Sequence, residues 1–178
     1  MIYIRTKNIK QQSFFVTYSI FIYEERLMPI LFLFAMLVYS ADLFAVEIKV
    51  IDGDSIYLDR QEIRLEGIDA PEYHQQCYNE NGKLYDCGRK AFKALKLMLK
   101  EDVICKIVAK DRYKRKVAVC YSGGKNLNEE MVKQGWAVAY DRYTDDYVDD
   151  EKTAKKAKKG LWQGKFMRPE LYRSLHRD

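Results

Sequence analysis

Histidine is almost missing from this 178-residue chain: only His74 and His176 occur, which removes histidine-rich metal sites and the HExxH zinc hydrolases. No GxxxxGK[ST], GxGxxG or GxSxG is present, so a phosphate-cradling nucleotide loop and a serine nucleophile elbow have no place to sit. The four cysteines include no CxxC pair, which argues against a structural zinc site. Disorder is excluded as well, because 48% hydrophobic residues supply enough apolar surface for a core. What is present is a mild basic excess, 31 Lys plus Arg against 26 Asp plus Glu, which suits a polyanionic partner.

Residues 1–45 read as a signal peptide or N-terminal hydrophobic extension ahead of a folded domain. Leu27 to Ala41 carries no charge and is shorter than the roughly 20 residues a membrane-spanning helix needs, a length that fits the apolar region of a signal peptide. Small residues follow at Ser40, Ala41 and Ala45. Glu24, Glu25 and Arg26 stand directly before this run, and acidic residues there are unusual for a signal peptide; a true start at Met28 is one way out. The expected location is therefore exported, secreted or periplasmic, with a membrane anchor formed by residues 13–41 as the alternative. Loss of residues 1–45 removes Arg5, Lys7, Lys10 and Arg26 against Glu24, Glu25 and Asp42, so the basic balance belongs to the remaining domain.

Cysteine usage agrees with export, since an even count in a small exported domain suggests disulfides. Cys77 and Cys87 bracket the loop CYNENGKLYDC, which one bridge would close. Cys105 and Cys120 lie in apolar runs, and a hairpin turn centred on Arg112 and Tyr113 sets them opposite one another. They are either bonded or neighbouring core thiols.

The pattern of the domain predicts strands at Val46–Val50, Ser55–Asp59 and Glu62–Ile68, a helix over Gly88–Lys100, a strand pair at Val103–Ala109 and Val117–Ser122, then helices over Asn126–Trp136 and Asp149–Lys159. The order βββαββαα gives an α+β class, mainly β: a five-stranded Greek-key barrel of the OB type with three α-helices. The domain is expected over residues 46–164, with a basic C-terminal tail over 165–178.

Carboxylates carry the functional signal. Asp52-Gly53-Asp54 closes the first hairpin, and Asp69-Ala70-Pro71-Glu72 ends the third strand, so four carboxylates leave neighbouring strand ends in one region. Oxygen donors from carboxylates and a carbonyl, completed by water, are what a hard cation such as Ca²⁺ takes. Alternation puts Ile63 and Leu65 on the core face and Arg64 on the other. Arg115 follows the basic turn DRYKRK, and arginine forks can hold two phosphate oxygens at once. A metal, a carboxylate base and two guanidiniums are the parts needed to activate water and stabilise a charged phosphoryl transition state.

The segments VIDGDSIYL, IRLEGIDAPE, DRYKRKVAVCY, LNEEMVKQGWAVAY and AKKAKKGLW, in this order, resemble the staphylococcal nuclease (thermonuclease) family over roughly residues 46–162. The resemblance implies an OB barrel with three helices and Ca²⁺-dependent hydrolysis of DNA and RNA, single-stranded or locally open, leaving 3′-phosphates. It implies Ca²⁺ ligation by Asp54, Asp69 and the Ala70 carbonyl, water activation by Glu72, and phosphate binding by Arg64 and Arg115. Asp52 would support the metal ligands from behind, and Tyr113 and Tyr140 would lie against the nucleotide. A monomer without an obligate protein partner is expected. Lys114 stands where the family often has glycine, and the loop from Tyr73 to Cys87 is this chain's own. The alternative reading is a noncatalytic OB module that binds nucleic acid or protein.

Overall fold

Strand alternation builds the first layer. In the computed structural model, which describes residues 3–7, 47–100 and 102–176, Ile48–Val50 (β2), Ser55–Leu58 (β3) and Gln61–Leu65 (β4) form an antiparallel meander. Ile56, Leu58, Ile63 and Leu65 are buried on its inner face. All described residues belong to one unit formed by Met1–Asn8 and Val46–Asp178. The expectations for a signal run at Leu27–Ala41, a start at Met28 and an anchor at residues 13–41 lie outside the described residues. Among the described residues, no helix is long and apolar enough to cross a membrane.

After β4 the chain makes a short strand, Ile68–Asp69 (β5), and a small hairpin, Cys77–Tyr78 (β6) with Leu84–Tyr85 (β7). It then enters helix α1 over Cys87–Met98. Asp102–Lys110 (β8) and Lys116–Ser122 (β9) follow as a long antiparallel pair, and Lys125–Asn126 (β10) adds to β9. Leu127–Lys133 (α2), Val138–Ala139 (β11), Val148–Lys156 (α3) and Pro169–Leu175 (α4) complete the chain. A strand at Tyr3–Lys7 (β1), absent from the sequence reading, pairs antiparallel with β8.

The class is α+β with an OB-like arrangement, as expected, and it differs from the expectation in two respects. The main sheet runs β1-β8-β9-β4-β3-β2, and among the described residues no ladder closes it into a barrel. Among the described residues there are four α-helices rather than three, because Pro169–Leu175, within the tail expected over 165–178, forms α4. The parallel pairing of β4 with β9, Arg64 opposite Val117, matters most for function, since it brings the turn preceding β9 beside β4.

The β8–β9 ladder places Cys105 opposite Cys120, and the two are joined by a disulfide, as are Cys77 and Cys87. The expected register holds from Val103↔Ser122 to Ile107↔Ala118, and a bulge then shifts it to Ala109↔Val117. Cys105 and Cys120 are fully buried and close a loop with a sequence separation of 15. A bridge spanning a loop of that size contributes about 3 kcal/mol. The double replacement of Cys105 and Cys120 by Ala is expected to cost about 2–5 kcal/mol, read as a lowered denaturant midpoint.

Helix ends follow local chemistry. Asn126 caps α2 by accepting from the Asn128 and Glu129 backbone N–H groups at 3.0 and 3.3 Å. Helix α3 carries Asp149, Asp150 and Glu151 in its first turn and Lys155 and Lys156 in its last, complementing the helix dipole. It ends at Lys156, short of the predicted Lys159, and Lys158 takes the left-handed turn at φ 50. Buried Asn128 ties three segments together, accepting from Cys120 N–H at 3.1 Å and donating to the Glu66 and Ala118 carbonyls at 2.9 and 3.1 Å. All of its buried polar contacts are local to β9 and the β4–β5 turn, so it fixes α2 against the sheet.

Candidate active site

The Asp52–Asp54 turn joins β2 to β3, and β5 leaves the sheet beside it. Glycine is required in that turn by close approach: a Cβ on Gly53 would lie 2.6 Å from the Ala70 Cβ and 2.8 Å from the Ala91 Cβ. The turn is thereby pressed between α1 and the segment carrying Asp69 and Glu72. A second close contact fixes that segment from the other side, since a Cβ on Gly88, at the start of α1, would lie 1.8 Å from the Glu72 carbonyl oxygen. Fully buried Gln75 adds to the hold: its side-chain oxygen accepts from Glu72 N–H at 3.2 Å and its amide donates to the Met167 carbonyl at 2.8 Å.

Arg64 organises the carboxylates. Its position on the outward face of β4 lets Nη1 donate to Asp54 Oδ1 at 3.0 Å and Nη2 to Asp69 Oδ1 at 2.9 Å. Asp54 is buried and also accepts from Ser55 Oγ at 3.0 Å and, through Oδ2, from Ala70 N–H at 2.9 Å. Asp52 Oδ1 accepts from Asp54 N–H at 3.0 Å. Burial, followed by the charge of Asp54, pushes the Asp52 carboxyl up to about 8. Burial and Asp54 also push Asp69 up, against the pull of Arg173 and Arg64. The Arg64 guanidinium is held protonated, first by Asp54.

One residue of this cluster has no counterpart in the sequence reading. Arg173, on α4, donates from Nη2 to Asp69 Oδ1 at 2.7 Å and from Nη1 to Glu72 Oε1 at 2.9 Å. Burial lowers its pKa, but the Asp69 charge and the two hydrogen bonds outweigh burial and leave it raised. The signal available in the sequence was Arg-Pro-Glu at 168–170, a helix start with proline at the first position and an acid in the first turn. Nothing in that pattern names the carboxylates the helix would face.

The remaining candidates surround the cluster. Arg115 donates from Nε to Asp111 Oδ2 at 2.7 Å and from Nη1 to Glu62 Oε1 at 3.2 Å. Glu62 lies on β4, two positions before Arg64, so the parallel β4–β9 pairing places Arg115 on the same strand's flank without a hydrogen bond to Asp54, Asp69 or Glu72. The turn that carries it is well formed despite Lys114, which adopts φ 67 at a cost of roughly 1–2 kcal/mol for a side-chain-bearing residue. Asp111 compensates by accepting from the Tyr113 and Arg115 N–H groups at 2.8 and 2.9 Å. Tyr113 is 63% exposed and lies under the Arg112 and Arg115 guanidiniums at 4.8 and 5.6 Å. Tyr140 follows β11, which pairs with β5 at Asp69. Its hydroxyl reaches Glu170 of α4 at 3.4 Å.

Thus Asp52, Asp54, Arg64, Asp69 and Ala70 are brought into direct contact, Glu72 joins them through Arg173, and Arg115 with Tyr113 forms a separate basic and aromatic edge. Among the described residues, no three His, Cys, Asp or Glu side chains converge as a preformed metal cage. Asp54 and Asp69 are instead drawn onto guanidiniums. Their chemistry nonetheless fits a hard divalent cation: the donors are carboxylate oxygens bridged by one arginine, next to the Ala70 backbone, with no sulfur or imidazole.

The staphylococcal nuclease homologue family model matches residues 62–164, a span that runs from β4 through α3. The chain is 36% identical over 121 residues to the succinoglycan biosynthesis protein ExoI of Rhizobium meliloti (strain 1021), covering 65% of this chain and 62% of that protein. It is 36% identical over 123 residues to an uncharacterized endonuclease of Haemophilus influenzae, covering 65% and 64%. It is 34% identical over 141 residues to an uncharacterized endonuclease of Escherichia coli O157:H7, covering 75% and 86%. The matched region spans under two thirds of the first two relatives' own length. The strand carrying Arg64, the Asp69–Glu72 segment and the Arg115 turn all fall inside the matched span, and the chain belongs to the staphylococcal nuclease homologue family.

Proposed function

We propose that this chain is an exported, Ca²⁺-dependent nuclease that hydrolyses phosphodiester bonds of single-stranded or locally open DNA and RNA and leaves 3′-phosphates. The observation that carries the reading is the bridge made by Arg64 between Asp54 and Asp69, which sets an oxygen donor pair and a phosphate-binding guanidinium side by side. Asp54, Asp69 and the Ala70 carbonyl would hold the ion, which when bound supplies charge neutralisation at a phosphate oxygen and a more acidic water.

The chain's own residues do the rest. Glu72 accepts a proton from the attacking water, a task suited to a carboxylate on a segment fixed by Gly88 and Gln75. Arg64 binds a nonbridging phosphate oxygen and opposes the charge that develops there. Arg115 stabilises the departing 5′-oxygen. Tyr113 offers an exposed aromatic face to a base, in the manner of single-strand binders, and half-buried Tyr140 lies at the nucleotide's other side. Export is supported by the two disulfides, which persist in oxidising compartments, and by the uncharged run Leu27–Ala41.

The test is hydrolysis of heat-denatured DNA and of RNA in Ca²⁺ and in excess EGTA. Chelation is expected to abolish cleavage, and Ca²⁺ added back is expected to restore it. Robust cleavage in EGTA would refute the carboxylate–metal assignment.

A further inference from the structure

Arg173 sits where the proposed chemistry needs a cation, and the helix that carries it is lightly held. Of the seven residues of α4 only Pro169 is buried, while Leu171 and Leu175 are 52% and 62% exposed. Beyond the buried Pro169 it is held by polar contacts: Glu170 to Arg142 at 3.1 Å and to the Tyr140 hydroxyl at 3.4 Å, and Arg173 to Asp69 and Glu72. Just before it, Arg168 reaches Glu151 at 3.4 Å. Exposed ion pairs of this kind each hold little, so the contact with the buried Asp69 is the strongest single tether.

The charge balance of the cluster gives that tether a consequence. Asp54, Asp69 and Glu72 face Arg64 and Arg173, three carboxylates against two guanidiniums. With Arg173 seated the group is one negative charge in excess; with Arg173 withdrawn it has the two that a divalent ion neutralises. Arg64 and Arg173 already share Asp69 Oδ1, so an ion arriving at Asp69 meets two positive groups at short range, and the lightly held one yields first.

We infer that Arg173, which bridges Asp69 and Glu72, is an internal cation that competes with the divalent metal for the Asp69 carboxylate, so that docking of α4 restrains metal loading. The inference rests on the metal reading given above. Because binding free energies are reciprocal, metal must loosen α4 by the same factor by which α4 weakens metal.

The experiment is a calorimetric Ca²⁺ titration of the 178-residue chain, of Arg173→Met, which keeps the stem but not the charge, and of Glu170→Ala, which loosens α4 without touching the carboxylates. Amide hydrogen exchange over residues 169–176 is read with and without Ca²⁺. Arg173→Met is expected to bind Ca²⁺ at least about fivefold more tightly than the unmodified chain, the lower end of ordinary coupling between sites. Glu170→Ala is expected to shift affinity in the same direction, and exchange in α4 of the unmodified chain is expected to rise when Ca²⁺ is added. Unchanged or weaker Ca²⁺ binding in Arg173→Met overturns the competition while leaving the metal assignment standing. Should Arg173→Met fail to fold, unchanged affinity in Glu170→Ala together with unchanged α4 exchange overturns it equally. Absence of Ca²⁺ binding in every variant overturns the metal assignment and the competition together.

Discussion

Replacing Glu72 by Gln is expected to lower turnover on single-stranded DNA by at least about 100-fold, the usual contribution of a positioned general base, while leaving the fold intact. Glutamine keeps an oxygen for the 2.9 Å bond from Arg173 Nη1, and the backbone of residue 72 stays fixed through its N–H bond to Gln75 Oε1. What is lost is the capacity to take a proton. Thermal melting in parallel with turnover separates the two effects. Turnover like that of the unmodified chain would remove Glu72 from the chemistry.

The second large effect is expected at Asp54. Its Oδ1 receives Arg64 and Ser55, and its Oδ2 receives the Ala70 N–H, so both oxygens of a buried carboxylate face donors. Asparagine presents an NH₂ group either to the Ala70 N–H or to the Arg64 guanidinium, and both juxtapositions are repulsive. Breaking a buried pair typically costs 3–5 kcal/mol. Arg64 keeps its bond to Asp69 and Asp52 is relieved of a neighbouring charge, which together reduce the expected loss to about 2–3 kcal/mol. Calcium binding is expected to disappear as well. Denaturant unfolding and calorimetry read the two losses, and a stable variant that still binds Ca²⁺ would contradict the assigned role of Asp54.

Much of this arrangement is legible in the sequence because it is local or periodic. Alternation in Glu62–Glu66 sets Arg64 apart from Ile63 and Leu65, and the structure puts it on the outer face with its guanidinium on Asp54 and Asp69. A simple hairpin count pairs Cys105 with Cys120, and it works although the turn is not symmetric, because the bulge after Ile107 absorbs the one-residue offset before the ladder reaches the cysteines.

The unread part depends on long-range contact. Arg173 is separated from Asp69 by 104 positions, and no periodicity in α4 encodes which carboxylate it meets. The same holds for Gly88, which reads as an ordinary residue near a helix start and is needed because the Glu72 carbonyl packs against it. The loop from Tyr73 to Cys87 reads as irregular, yet Asn79 Oδ1 accepts from Asn81 and Lys83 N–H and forms the turn of the β6–β7 hairpin. A short hairpin of two-residue strands leaves too little alternation to recognise.

The central claim is that the carboxylates gathered by Arg64 hydrolyse phosphodiesters. It is tested most directly by incubating a single-stranded DNA oligonucleotide carrying a fluorophore at its 5′ end with the purified chain and Ca²⁺, then treating the fragments with phosphatase. The account predicts that labelled fragments, which keep the original 5′ end, shift in mobility on phosphatase treatment because each of them ends in a 3′-phosphate. An uncleaved oligonucleotide in the presence of folded protein with both disulfides intact would contradict it and favour a noncatalytic OB module.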